Sequence, residues 1–412
     1  MSGIVLSAAV RQNLLSLQDT AALLSTTQNR LASGKKVNTA LDNPTNFFTA
    51  QGLDNRASDI NNLLDAIGNG VQVLQAANTG LTSLQKLVDT AKSIASQVLQ
   101  TTTGYTQKAS ATTLAPTGAG ALGTIGTAAD LTNGGTNSLN GKTFIFTPAS
   151  GTATTITIGT GGSQVNSIAA FNSALAAAGI GVSATLATDG SITLTSVNDN
   201  ASQSLTTGTT AAANTVAISG TDTATLVTPP GGVAGQPLAD ANSQTTRASL
   251  VSQYNNIVAQ ITTTSQDASF NGINLLFGDD LKLTFNETGK STLSIKGVTY
   301  DAAGLGLAPL TAGTDFLDNS SANAVIAKVS AASDQLRSEA SSLGSNLSIV
   351  QIRQDFAKNL INVLQTGSAN LTLADSNEEA ANSQALSTRQ SIAVSALALS
   401  NQSQASVLQL LR

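Results

Sequence analysis

Over 412 residues the chain carries 19 Lys plus Arg against 24 Asp plus Glu, a net charge of −5, and no His, Cys or Trp. Without His or Cys, the usual nitrogen and sulfur ligands of zinc and the transition metals are missing. Ser-His and Cys-His nucleophile pairs are impossible, and scattered basic residues do not make the clusters that bind nucleic acid. Charged residues make up 10%, against roughly 25% in ordinary soluble domains. A carboxylate site for magnesium or calcium stays open, but the acidic residues are dispersed. The expectation is a non-enzyme with no cofactor and no metal. The absent Cys has two readings, general avoidance of oxidation or export as an unfolded chain, and composition leaves both open.

At the N-terminus no basic segment precedes the apolar positions, and Arg11 and Asp19 interrupt the run. No cleaved signal peptide is expected. No stretch approaches the roughly 20 apolar residues of a membrane span. Val10, Leu14, Leu17, Ala21, Leu24, Gln28 and Leu31 follow a 4-3 spacing, which predicts a helix with a heptad seam. Ser33-Gly34 ends it, and Asn43-Pro44 breaks the chain before the next helix. There the seam is Ile60, Leu64, Ile67, Val71, Leu74, Asn78, Leu81, Gln85, Val88, Lys92, Ala95 and Leu99, with Leu63 and Leu84 widening the apolar face. A pattern this long predicts a coiled coil.

Between about 105 and 240 the composition changes, and only Lys108, Asp130, Lys142, Asp189, Asp199, Asp222 and Asp240 are charged. Residues 143–146, 155–158 and 191–195 read as strands. Val165, Ile168, Phe171 and Leu175 form a short amphipathic helix, and Asp189-Gly190 is a hairpin signal. Strand, strand, helix, strand, strand predicts a small α+β insert, flanked by loops or weak strands at 105–140 and 200–240.

The helical signal returns at Leu250, Tyr254, Ile257 and Ile261, then at Ile326, Val329, Leu336, Leu343, Leu347, Val350, Phe356, Leu360 and Val363. Between these two helical runs, 281–285 and 293–298 flank Asn286-Glu287-Thr288-Gly289-Lys290 as one hairpin. The last helix has two stripes: Leu386, Ala393, Leu397, Val407 and Leu411, with Ile392, Ala396, Leu399 and Leu410 beside them. A helix apolar on more than one side wants partners on more than one side.

Two motifs are weighed and set aside. Gly289-Lys290-Ser291 ends like a phosphate-binding loop, but Thr284 stands where the motif needs Gly and the loop joins two strands. Glu378-Glu379 reads as favourable charge in a first helical turn rather than general acid–base chemistry.

The two ends together resemble one family. Arg30-Leu31-Ala32-Ser33-Gly34-Lys35-Lys36-Val37-Asn38-Thr39-Ala40-Leu41-Asp42 is similar to the bacterial flagellin segment RLSSGxRINSAxDDAAG, departing from it at Asn43-Pro44-Thr45. Phe47 to Leu53 continues in the alphaproteobacterial manner. Phe270-Asn271-Gly272-Ile273-Asn274-Leu275-Leu276 resembles the family's FNGxxLL element. Ala374 to Ala381 resembles ADxNEESA, and Gln404 to Leu411 the closing QxxxSVLxLL.

The resemblance implies a mainly α fold: a long antiparallel helical coiled-coil bundle formed by the N- and C-terminal segments, with a β-hairpin and a solvent-facing α+β insert. Residues 1–41 and 373–412 would make the filament-core helical domain, 42–104 and 241–372 the surrounding shell, and 105–240 the variable surface insert. It implies a structural subunit that polymerises into the extracellular flagellar filament for swimming motility. Its partners would be other copies of itself, the export apparatus and an export chaperone, and the filament cap and hook–filament junction proteins, with no nucleic acid and no membrane. Self-assembly would fall to Val10, Leu14, Leu17, Leu24, Leu31, Leu386, Ile392, Leu397, Leu399, Val407, Leu410 and Leu411. The segment that the innate receptor for flagellin reads, commonly LQRVRELA, aligns with Leu84-Gln85-Lys86-Leu87-Val88-Asp89-Thr90-Ala91. There Lys86, Val88 and Thr90 replace Arg, Arg and Leu, which predicts weak detection. The alternatives are a hook–filament junction protein of the same system and an adhesin or glycan-binding surface protein.

Overall fold

The structure, a computed structural model, describes residues 8–113, 131–132, 139–148, 151–187, 190–208, 215–221, 226–227 and 236–410. In chain order the elements begin with helices α1 (Ala8–Ser33) and α2 (Pro44–Gln100). Strands β1 (Tyr105–Gln107), β2 (Ser110–Thr113), β3 (Thr143–Pro148) and β4 (Thr154–Thr157) lead to α3 (Ile168–Ala177). Then come β5 (Val182–Leu186), β6 (Ile192–Ser196), β7 (Ser204–Thr207), β8 (Thr215–Thr221), β9 (Leu226–Val227) and β10 (Leu238–Ala239). Helix α4 (Ala241–Asp267), strands β11 (Leu281–Thr284) and β12 (Thr292–Ile295), and helices α5 (Asn319–Thr372) and α6 (Ser376–Leu410) complete the chain. The mainly α architecture, the hairpin and the α+β insert are those expected. The chain divides into two compact units, Met1–Gln72 with Leu281–Ile295 and Asn346–Arg412, and Val73–Asp280 with Lys296–Ser345.

In the first unit, local chemistry sets the helix ends. Gly34 takes φ +67° just past α1, the left-handed cap that glycine adopts without a Cβ penalty. Pro44 opens α2, and the Asn43 side chain accepts from Asn46 N at 3.0 Å, an N-cap followed by the favoured N1 proline. Asp42 accepts from Thr39 N and Asn38 N at 2.8 and 2.9 Å, and these bonds hold its carboxyl below the usual range. Along α2 and α5, Ala57 and Ile60 are buried with Ala357, Ile361 and Leu364. Leu53 lies beside Gly367 and Gly68 beside Gln354, so the two helices run antiparallel.

Strands β11 and β12 pair antiparallel from Leu281↔Ile295 to Thr284↔Thr292. The hairpin lies so close to α2 that a Cβ on Gly70 would run into the Leu283 side chain. Arg56 Nε meets Glu287 at 2.8 Å, and the Arg353 guanidinium sits 5.9 Å over the Phe285 ring. Gly289 has φ +69° in the connecting loop, which bears out the turn reading of Gly289-Lys290-Ser291.

In the second unit α2 buries Leu74, Ala77, Leu81, Leu84, Val88, Ala91, Ala95 and Val98. This corrects the phase of the expected seam. Leu74, Leu81, Val88 and Ala95 are shared, but the alternate positions are Ala77, Leu84, Ala91 and Val98, while Asn78 and Lys92 are exposed and Gln85 is half-buried. Ala77 and Ala91 are small, and a search weighted towards large apolar residues passes over them.

Helix α4 buries Leu250, Val251, Tyr254, Val258 and Ile261. After it, Phe270 and Ile273 exchange backbone bonds of 3.0 Å, with φ +52° at Asn271 and +79° at Gly272. Such a two-residue turn favours Asn-Gly. Asn274 pins the next loop: its amide donates to Ser265 O and Gln266 O and accepts from Leu276 N.

Within the insert two four-stranded sheets form, ordered β5-β6-β2-β9 and β4-β3-β8-β7, the β7–β8 pair being parallel. Phe144, Phe146, Phe171, Leu175, Ile192 and Leu194 fill the core. The flanks thus supply more strands than expected. Gly190 has φ +83° at the hairpin between β5 and β6, while Asp189 lies outside the described residues.

Arg247 of α4 is 1% exposed. It donates to Phe316 O at 3.0 Å, Thr102 O at 3.2 Å and Asn319 Oδ1 at 3.3 Å. Nothing in the sequence pattern marked it. Arg247→Met should leave these acceptors unpaired and cost about 3 kcal/mol, read as a lower urea midpoint at unchanged slope. Burial pushes Tyr254 and Tyr300 up to about 12. The unfolded chain loses these protons first, near pH 10, so stability intact below pH 10 should fall progressively through pH 12. Phenolate absorbance and a thermal midpoint, followed together over that window, check this.

Candidate self-assembly surface

The chain ends meet through a backbone junction. Thr372 O accepts from Lys36 N at 2.7 Å and Val37 N at 3.3 Å, and Ala374 N donates to Gly34 O at 3.0 Å. Asp375 caps α6 by accepting from Asn377 N and Glu378 N. Helix α6 therefore starts where α1 ends, and the two pack antiparallel. Arg30 reaches Glu379 at 3.4 Å across the junction. Glu378-Glu379 is thus more than a favourable first turn, since buried Glu379 also ties the two helices together.

The face of α1 turned inward is Val10, Leu17, Thr20, Leu24 and Thr27, with Val10, Thr20 and Thr27 buried and the two leucines half-buried. Again only part of the expected seam is used. The buried Thr20 hydroxyl is satisfied by Ser16 O at 2.8 Å, so a threonine can serve there. Leu14 and Leu31 stay exposed, together with Leu15 and Leu23. On α6, Leu386 and Leu397 are half-buried, while Ile392, Val394 and Leu399 are 64%, 51% and 69% exposed. The side chains of Val407 and Leu410, and Leu411 altogether, lie outside the described residues. One stripe of each helix is met inside the molecule and a second is not. Each large aliphatic left in water forgoes about 1.5–3 kcal/mol of transfer free energy.

A further exposed stripe was not separated in the sequence reading. On α5, Val350, Ala357, Ile361 and Leu364 are buried, while Ile349, Ile352, Phe356 and Val363 of the same stretch are exposed. Their 3-4-7 spacing is a heptad pattern, which could have been found by fitting two stripes to one helix.

The receptor-type segment lies in the second unit. Leu84 and Val88 are both 0% exposed, so neither is available to a partner of the folded chain. Val88 is also a position of the expected seam, and it packs in the core. Gln85 donates to Asp89 and Ser333. Lys86 and Thr90 are exposed, and the Thr90 hydroxyl donates to Lys86 O. Val88→Arg would bury a charge without a partner and should cost about 4 kcal/mol, seen as a lower thermal midpoint of the monomer. Lys86→Arg should change it by no more than about 0.5 kcal/mol. Among the described residues no cluster of three or more His, Cys, Asp or Glu could hold a metal.

The model of the bacterial flagellin N-terminal helical region matches residues 5–118, and that of the C-terminal helical region residues 326–411. Flagellin FljM of Caulobacter vibrioides is 33% identical over 165 residues, 40% of this chain and 59% of that protein. Flagellin FljK of the same species is 32% identical over the same share of both chains. Flagellin A of Rhizobium meliloti is 38% identical over 90 residues, 22% of this chain and 23% of that protein. The chain thus spans about three fifths of the length of the first two relatives. With two helical regions matched in the order α1–α2 and α5–α6, the chain belongs to the bacterial flagellin family, of the alphaproteobacterial type.

Proposed function

We propose that the chain is a non-catalytic structural subunit that polymerises into an extracellular flagellar filament for swimming motility. The observation that carries this reading is the second apolar stripe on the paired terminal helices, exposed at Leu14, Leu31, Ile392 and Leu399. The stripes of α1 and α6 differ from one another, so a contact between copies through them is heterologous. Repeated without closure, such a contact builds an open helical polymer. In this reading 1–41 and 373–412 form the filament core, 42–104 and 241–372 the shell, and 105–240 faces solvent. The exposed α5 stripe serves neighbours in the shell. The export apparatus, an export chaperone, the cap and the hook–filament junction proteins are the remaining partners. The relatives' names support a flagellin over a junction protein or an adhesin.

Electron microscopy of purified chain after seeding should show long filaments. Ile392→Asp with Leu399→Asp should raise the critical concentration at least about 100-fold, each lost contact being worth about 1.5 kcal/mol or more. Helical circular dichroism of the variant monomer should stay unchanged. Filaments formed at the same concentration as wild type would remove the stripe from the proposal. We further propose weak detection by the innate flagellin receptor, through Lys86 and Thr90 alone. Lys86→Arg with Thr90→Leu should raise potency about tenfold or more in reporter cells given monomer.

A further inference from the structure

The insert is joined to the rest of the second unit where the chain enters and leaves it. There β1 pairs with β10, Asp240 N donates to Gly104 O at 2.9 Å, and Gln244 Nε2 donates to the same carbonyl at 2.9 Å. Alone, a short two-stranded neck would act as a hinge. A second attachment lies far from it in sequence, at Asp199 and Ser202 just before β7. Ser202 Oγ donates to Asp318 Oδ2 at 2.6 Å, and Asp199 Oδ1 accepts from Asn319 Nδ2 at 3.1 Å.

Asp318 is also the N-cap of α5. Its Oδ1 accepts from Ser321 N at 3.0 Å, and Ser321 Oγ accepts in return from Asp318 N at 3.2 Å. This is a reciprocal capping box. One carboxylate, 5% exposed, therefore holds the insert with one oxygen and the first turn of α5 with the other. Next to it Asn319 is shared in the same way, taking Arg247 on its carbonyl oxygen and giving its amide to Asp199. Buried Arg247 binds Phe316 O, two residues before Asp318.

We infer that Asp318 is a coupling residue, through which the orientation of the insert and the folding of the first turn of α5 are one cooperative event. A buried carboxylate deprived of Ser202 loses a hydrogen bond that offsets its desolvation. Turning towards water then satisfies it, and turning releases the cap. The converse follows from linkage, because a coupling free energy acts equally in both directions. The insert is then fixed at two points, and a load or ligand on it reaches a shell helix. This holds whether or not the chain polymerises.

Amide exchange with mass spectrometry on the full-length monomer tests it. Ser202→Ala removes the insert's bond to Asp318 and should speed exchange at residues 321–324 about tenfold. Ser321→Ala removes only the cap's side and should speed exchange at 204–207 by a similar factor. Asp318→Asn keeps the shape, loses the charge and should speed both. Amides of α2 between Leu84 and Val98 should be unaffected in all three. If each serine variant disturbs only its own segment, or if Asp318→Asn disturbs neither, the coupling does not exist. A uniform rise that includes α2 would mean general loosening and would overturn it equally.

Discussion

The carbonyl of Thr372 accepts two backbone donors from the end of α1, and Gly34 and Ala374 close the junction from the other side. This contact joins residues more than three hundred positions apart in sequence, and it decides which helix faces which. With the ends of α1 and α5 tied, α6 can only run back along α1. The Arg30–Glu379 pair, partly exposed, contributes little energy by itself. Together with the backbone bonds it makes the register of the terminal pair unique. Loop closure on this scale costs entropy that grows only slowly with length, so the long intervening chain does not forbid the pairing.

Once the helices are tied antiparallel, close approach determines what goes inside. Thr20 and Thr27 in α1, and Ala77 and Ala91 in α2, are buried, while Leu14, Leu15, Leu23 and Leu31 face out. An isolated monomer would be poorly served by this choice, because the largest apolar surfaces remain hydrated. A chain meant to be surrounded by copies of itself gains from it. Under the proposed assembly the intramolecular contact stays compact, and the exposed aliphatic side chains serve the contact between copies. The same division recurs on α5, with Val350 and Ile361 inside and Ile352 and Phe356 outside.

The second unit places its polar groups differently. Arg247, Asn274 and Asp318 are buried, yet each meets several backbone or side-chain partners. Satisfied buried polar groups specify geometry more than they add stability. All three hold irregular chain: Arg247 and Asp318 the entry to α5, Asn274 the loop after the Asn271-Gly272 turn. Irregular backbone needs such fixing because its own donors and acceptors are not paired by a helix or a sheet. The insert, by contrast, carries an apolar core of its own around Phe144, Phe146 and Phe171.

Much of this was legible in the residues wherever the cause is local. Ser33-Gly34 and Asn43-Pro44 marked helix ends because glycine and proline restrict the backbone directly. The hairpin at 281–295 and the central strands and helix of the insert followed from alternation, period and turn chemistry. The phase of the seams was not legible. Hydrophobicity ranks Leu14 above Thr20 and weighs Asn78 and Ala77 only by apolar character, whereas the inward face is chosen by how closely a partner helix approaches. Val88, which lies on the expected seam as well as in the receptor-type segment, is a core residue. The pairing of β2 with both β6 and β9, and the partners of Arg247 and Asp318, depend on residues brought together from distant parts of the chain. Local pattern determined the elements of this protein; only tertiary packing, through backbone approach and the satisfaction of buried polar groups, decided which face of each element is inside.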